Sequence, residues 1–144
     1  MKKYFDGENW LDITKNDNLM FYLLNGVLHR KNGPALVYYN NNNNTNIELE
    51  EYYQNGILHR KNKPALIYYN KNDNTKLEQY FQNGVLHRQN KPAIIYYEND
   101  KIELEKYYQN GILHRNNGPA YIWYDQNNNN KKELYYNKGV VYKP

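Results

Sequence analysis

The chain has 144 residues, 40% of them hydrophobic, with 18 Tyr, no Cys and a formal charge of +4. Without Cys there is no disulfide framework, thiol nucleophile or Cys-based zinc site. Lys and Arg are interleaved with Glu, so no long basic run demands a nucleic-acid or acidic partner. The polarity argues for a thin, Tyr-rich core, while the wealth of aromatic and β-branched residues argues against disorder.

Residues 1–7 lack an apolar signal region, and no stretch approaches the roughly 18 apolar residues of a membrane span. The expectation is a cytoplasmic protein with no membrane contact. Residues 1–18 read as an N-terminal cap, with Trp10 expected beneath the strand Leu19–Leu24. Then come four near-copies of Asn-Gly-(Val/Ile)-Leu-His-Arg-x-Asn-(Gly/Lys)-Pro-Ala, beginning at Asn25, Asn55, Asn83 and Asn110. Self-similarity at this period marks a stacked-repeat protein. The chain divides into a cap (1–18), units 19–46, 47–75, 76–101 and 102–131, and a partial fifth unit (132–144) that serves as the C-terminal cap.

Each unit carries three short apolar stretches. In the second, residues 49–54 alternate and are rich in strand formers, and Asn55-Gly56 is a hairpin signal, because a type I′ turn needs positive φ at both central residues. Residues 57–60 form a second strand, and 61–64 break it, since Pro64 fixes its own φ and restricts the residue before it. Residues 65–69 form a third strand, and 70–76 a polar loop. No segment has helical spacing. The fold predicted is all-β, an elongated, solenoid-like antiparallel array of about four stacked three-stranded units with terminal half-units. Length variation falls only in 40–46, 70–76, 98–101 and 125–131, so one edge carries variable Asn-rich tips and the other the uniform turns. The strand at 140–142 is an open edge suited to self-association.

The phrases at 52–60 (Tyr-Tyr-Gln-Asn-Gly-Ile-Leu-His-Arg) and 33–35 (Gly-Pro-Ala) resemble the MORN-repeat-variant proteins, tandem β-hairpin modules of bacteria, phages and large DNA viruses. The similarity runs from about Leu19 to Tyr142, with a longer period than the short MORN unit and with Lys63 and Lys91 in place of the Gly of Gly-Pro-Ala. It implies a protein-interaction scaffold. In a phage or large virus, acting in the host cytosol, such a module would block or sequester a host factor.

Six residue columns are the candidates for function. His29, His59, His87 and His114 occupy one slot. Neighbouring units separate them by two or three strands of ~4.8 Å each, too far to share an ion whose ligand nitrogens lie ~2.0–2.1 Å away. No metal and no cofactor are expected, and each His is read as donating to a backbone carbonyl beside the Pro turn. Arg30, Arg60, Arg88 and Arg115 have first-strand partners in Glu50, Glu78, Glu105 and Glu133, which predicts a cross-strand ion-pair ladder. The competing uses are Arg stacked on Tyr and an anion-binding row for phosphates. The Tyr columns are Tyr22, Tyr52, Tyr80, Tyr107 and Tyr135 against Tyr53, Phe81, Tyr108 and Tyr136. In the third strand, Tyr38, Tyr68, Tyr96 and Trp123 stand against Tyr39, Tyr69, Tyr97 and Tyr124. Side chains alternate, so only one column of each pair faces a given core.

With no Cys, no Ser and no phosphate loop, and with every repeated group present four times, catalysis finds no support, and the chain is read as not an enzyme. Its expected activity is binding a protein partner through a Tyr-rich sheet face, with Tyr38, Tyr68, Tyr96, Trp123, Tyr52, Tyr80 and Tyr107 as anchors. The alternatives are nucleic-acid or nucleotide binding through Arg30, Arg60, Arg88 and Arg115 with aromatic stacking, and homo-oligomerisation through the end strands.

Overall fold

The computed structural model describes residues 2–40, 46–127 and 130–144; parts of the variable tips 40–46 and 125–131 lie outside the described residues. Every regular element among them is a strand, as the alternation predicts, and no helix is long and apolar enough to cross a membrane. The N-terminal segment forms β1 (Lys2–Phe5) and β2 (Trp10–Lys15). The first unit contributes β3 (Leu19–Leu24), β4 (Val27–Leu28) and β5 (Leu36–Tyr39). The second contributes β6 (Ile47–Glu51), β7 (Tyr53–Gln54), β8 (Ile57–Leu58) and β9 (Leu66–Asn70). The third follows with β10 (Thr75–Gln79), β11 (Phe81–Gln82), β12 (Val85–Leu86) and β13 (Ile94–Glu98). The fourth holds β14 (Lys101–Lys106), β15 (Tyr108–Gln109), β16 (Ile112–Leu113) and β17 (Tyr121–Tyr124), and β18 (Lys131–Asn137) and β19 (Val140–Tyr142) complete the order.

Among the described residues, 13 strands form one open antiparallel sheet in the order β1-β2-β3-β5-β6-β9-β10-β13-β14-β17-β18-β19, with β4 paired to β3 beside that path. The three-stranded unit is thereby refined. Units two to four each place two strands in the long sheet, while β7–β8, β11–β12 and β15–β16 are separate hairpins. The chain leaves the sheet at one tyrosine per unit. Tyr52 N still donates to Ala65 O at 2.8 Å, but its carbonyl turns away and accepts from His59 N at 2.9 Å; Tyr80 and Tyr107 repeat both bonds. Each hairpin then bonds to the one before it. Gly56 N donates to Leu28 O at 2.8 Å, Gly84 N to Leu58 O at 3.0 Å and Gly111 N to Leu86 O at 2.8 Å. The hairpins form a second layer stacked along the sheet.

The Asn-Gly turns take the conformation that their sequence predicts. Asn25, Asn55, Asn83 and Asn110 all have φ of 51°, and the following glycines lie between 76° and 81°. Lys138 (φ 47°) occupies the Asn position of the fifth turn.

The core lies between sheet and hairpins. Ala35, Ala65, Ala93 and Ala120 are each 0% exposed, and Val37, Ile67, Ile95 and Ile122 are buried beside them. Tyr22, Tyr80 and Tyr107 close the layer. The interior is thus as much Ala and Ile as Tyr, because the third strand turns its aliphatic residue inward. The expectation for Trp10 is overturned: it is 64% exposed and leans on Phe5 at 5.3 Å. Alternation along β2 turns its neighbour Leu11 inward instead, at 0% exposure. Because Ala93 is fully buried, Ala93→Leu is expected to lose about 1–3 kcal/mol by overpacking. Chemical denaturation checks this, and an unchanged midpoint would mean the hairpin layer is not held against the sheet.

Candidate functional site

The histidines join each unit to the next. The Nδ1 atoms of His29, His59, His87 and His114 accept from the backbone N–H of Asn55, Asn83, Asn110 and Lys138, each at 3.1 Å. The donor reading is therefore corrected: the ring receives a hydrogen bond from the next unit's turn. A lone pair on Nδ1 leaves the neutral ring's hydrogen on Nε2, so each His presents an Nε2–H donor on its other side.

The arginines stack. The guanidinium carbons of Arg30, Arg60, Arg88 and Arg115 lie 3.8, 3.5, 3.6 and 3.9 Å from the ring centroids of Tyr22, Tyr52, Tyr80 and Tyr107. Nη1 of each donates to the carbonyl of Pro34, Pro64, Pro92 or Pro119 at 3.1–3.2 Å. Among the described residues no ion pair involves an arginine, so the Arg–Glu ladder gives way to stacking. The first-strand acids sit elsewhere. On the inner face the register alternates Val37, Glu50, Ile67, Glu78, Ile95, Glu105, Ile122 and Glu133. Burial pushes the Glu50 carboxyl up, and the Arg60 charge opposes that. Glu78 accepts from the hydroxyls of Tyr80 and Tyr97 at 3.3 and 3.4 Å and pairs with Lys76 at 3.0 Å; Glu105 accepts from Tyr124 at 2.8 Å.

Stacking settles two columns. Tyr80 and Tyr107 are buried and Tyr52 half-buried, each with a guanidinium over its ring. They are not exposed anchors, and that face of each ring is closed to a nucleic-acid base. Tyr38, Tyr68, Tyr96 and Trp123 point the opposite way. The register sets Leu19, Tyr38, Leu49, Tyr68, Leu77, Tyr96, Leu104 and Trp123 side by side across eight consecutive strands. None of the eight is buried, and Trp123 is 37% exposed. Sequence reasoning missed the leucines of this row. Their fixed spacing to the turn glycine was visible, but their place between the aromatics needs the strand register.

Between successive arginines the inner side opens three equivalent clefts. They are bounded by Arg30 and Arg60 (about 590 Å³), by Arg60 and Arg88 (about 490 Å³), and by Arg88 and Arg115 (about 220 Å³). Each is also lined by one Tyr, one His, at least one Gln and at least one Asn, and by no carboxylate. The loops differ where Lys replaces Gly. A Cβ at Gly33 would meet the Arg30 guanidinium at 2.8 Å, and Gly118 has φ 131°. In the Lys63 and Lys91 units the left-handed residue is instead the preceding Asn62 (φ 60°) or Asn90 (φ 56°).

The N-terminal cap is fastened to the first loop by Asp6, which is 2% exposed. Burial alone would raise this carboxyl, but backbone N–H donors from Asn9, Glu8 and Lys31 and the nearby His29 together hold it below its ordinary value. Asn32 Nδ2 donates to Asp6 O at 2.9 Å, and Lys31 pairs with Glu8. Among the described residues no group of three or more His, Asp or Glu could hold a metal ion.

The tyrosine–carboxylate contacts set an alkaline limit. Desolvation first, and then the Glu78 or Glu105 carboxylate, pushes the Tyr97 and Tyr124 hydroxyls up to about 12. Both groups hold their protons more tightly in the folded state. Their contribution is complete below pH ~10 and is lost as pH rises through about 12. Stability should fall across that window with late tyrosinate absorbance, and Glu78→Gln should move the Tyr97 ionisation to lower pH; a profile identical to the parent would refute the contact. Compared with known proteins, the chain matches no family model, and no curated protein or solved structure shows significant similarity to it.

Proposed function

We propose that this chain is a non-catalytic binding module of the cytosol whose ligand is another protein, held on the outer sheet face. The observation that carries this reading is the row from Leu19 to Trp123, eight apolar and aromatic side chains in register, none of them buried. Seven of the eight are half-buried and Trp123 is exposed; contiguous apolar surface left open to solvent marks interaction sites, and aromatic side chains are among the preferred anchors. The likeness of the repeats to MORN-repeat-variant arrays accords with a scaffold role. The nucleic-acid alternative is weaker, because the stacking surfaces of Tyr52, Tyr80 and Tyr107 lie under arginine.

The test is affinity capture from nuclease-treated native lysate, comparing the parent with Tyr68→Ser/Tyr96→Ser. A retained protein that the variant releases, at about 1–2 kcal/mol per ring, supports the reading. Retention unchanged in a folded variant, or recovery of nucleic acid alone before nuclease treatment, refutes it.

A second reading, self-assembly, has its own observation. Among the described residues β19 is paired on one side only, and its Val140 and Val141 are 69% and 57% exposed. Under this reading sedimentation shows concentration-dependent mass that Val141→Pro abolishes, since Pro cannot donate to a new strand. A constant monomer mass eliminates it.

A further inference from the structure

The cap supplies the repeat with a ligand of its own. Asp6 Oδ2 accepts from the backbone N–H of Lys31 at 3.1 Å and lies 3.7 Å from His29 Nε2. Oδ1 meanwhile closes the cap's own turn on the N–H groups of Glu8 and Asn9, at 3.0 and 2.9 Å. The first unit thus binds one carboxylate oxygen through one hydrogen bond, from the N–H two residues after the histidine, with the histidine Nε2 standing 3.7 Å from the same oxygen.

The fourth unit fills the same position differently. His114 Nε2 lies 2.7 Å from Asn116 Oδ1, and Asn116 is the residue equivalent to Lys31. In the second and third units the equivalent donors are His59 Nε2–H with Lys61 N–H, and His87 Nε2–H with Gln89 N–H. Among the described residues no protein oxygen accepts from any of these four groups. These two units are also the ones in which Lys63 and Lys91 replace the Gly of Gly-Pro-Ala. Both lysines line the clefts that these histidines line, and no carboxylate lies there to neutralise them.

We propose that the His59/Lys61 and His87/Gln89 corners are receptor sites for aspartate or glutamate carboxylates on an acidic segment of a partner protein. Lys63, Lys91 and the stacked arginines supply the surrounding positive charge. Asp6 shows the binding mode: one carboxylate oxygen closes an Asp-x-x turn within the ligand, and the other enters the corner. Adjacent corners are two sheet strands apart, ~9.6 Å, so two acidic residues of one segment can be held together, with the gain that bivalency brings. This surface is opposite the Leu–Tyr row, and the inference stands apart from that reading.

The test uses the full chain and a peptide of residues 4–9, Tyr-Phe-Asp-Gly-Glu-Asn, followed by amide NMR. Lys61 and Gln89 amides are expected to shift saturably while Lys31, already bonded to Asp6, stays still. A peptide with Asn for Asp should bind at least about tenfold more weakly, the scale of a hydrogen bond to a charged group. Lys63→Gly/Lys91→Gly, which gives the second and third units the residue of the first and fourth, should weaken binding about two- to fivefold per site. His59→Asn/His87→Asn removes both Nε2 donors while Oδ1 keeps an acceptor for the Asn83 and Asn110 N–H groups, so it should fold and lose the peptide. Unmoved Lys61 and Gln89 amides at millimolar peptide, or equal shifts with the Asn peptide, overturn the proposal. So does saturation of these amides by oligothymidylate or inorganic phosphate but not by the peptide, which would reassign the corners to phosphate.

Discussion

Each hairpin is held to the sheet by a guanidinium laid on a tyrosine ring. Arg60 covers Tyr52, Arg88 covers Tyr80 and Arg115 covers Tyr107, while Nη1 of each arginine ties the proline carbonyl that begins the next sheet strand. The tyrosine is also the residue at which the chain leaves the sheet, with its N–H in one layer and its C=O in the other. One contact therefore joins both layers and the loop between them. A stacked cation of this kind contributes about 0.5–2 kcal/mol depending on its desolvation, and the array repeats it unit by unit. Dividing stability among nearest-neighbour contacts is how a quasi-linear repeat stands without a thick core.

The same arrangement separates the chemistry of the two faces. Folding the hairpins onto one side buries Ala and Ile there and brings Glu50, Glu78 and Glu105 into the sheet centre, among tyrosine hydroxyls. It also leaves the opposite side as a single layer of Leu, Tyr and Trp123. The arginines, which stack on rings, donate to carbonyls and form no ion pair among the described residues, remain a source of positive charge in the inter-unit clefts. At the N-terminus the chain meets that charge itself, with Asp6.

Much of this was legible in the residues. The all-β class, the tandem strand repeats and the I′ turns at Asn-Gly follow from spacing and local backbone preference. Cation–π stacking of Arg on Tyr was available as one of three uses for the arginine column. The choice among them depended on where Glu50 and its counterparts lie, and strand register places these beside Ile67, Ile95 and Ile122. Trp10 and Leu11 show the same limit, since alternation says they part company but not which one goes inward. The histidines were misread because their acceptor role involves the turn of the next unit, more than twenty residues away.

Sequence alone determined the elements and their repetition, because turn chemistry and period-two patterning act over a few neighbouring residues. The tertiary structure decided which column of each pair is covered, what the arginines touch, and that, among the described residues, the His corners of the middle units have no protein acceptor while those of the outer units do. These depend on register and on contacts between units, and a repeated local sequence is the same in every unit whatever stands beside it.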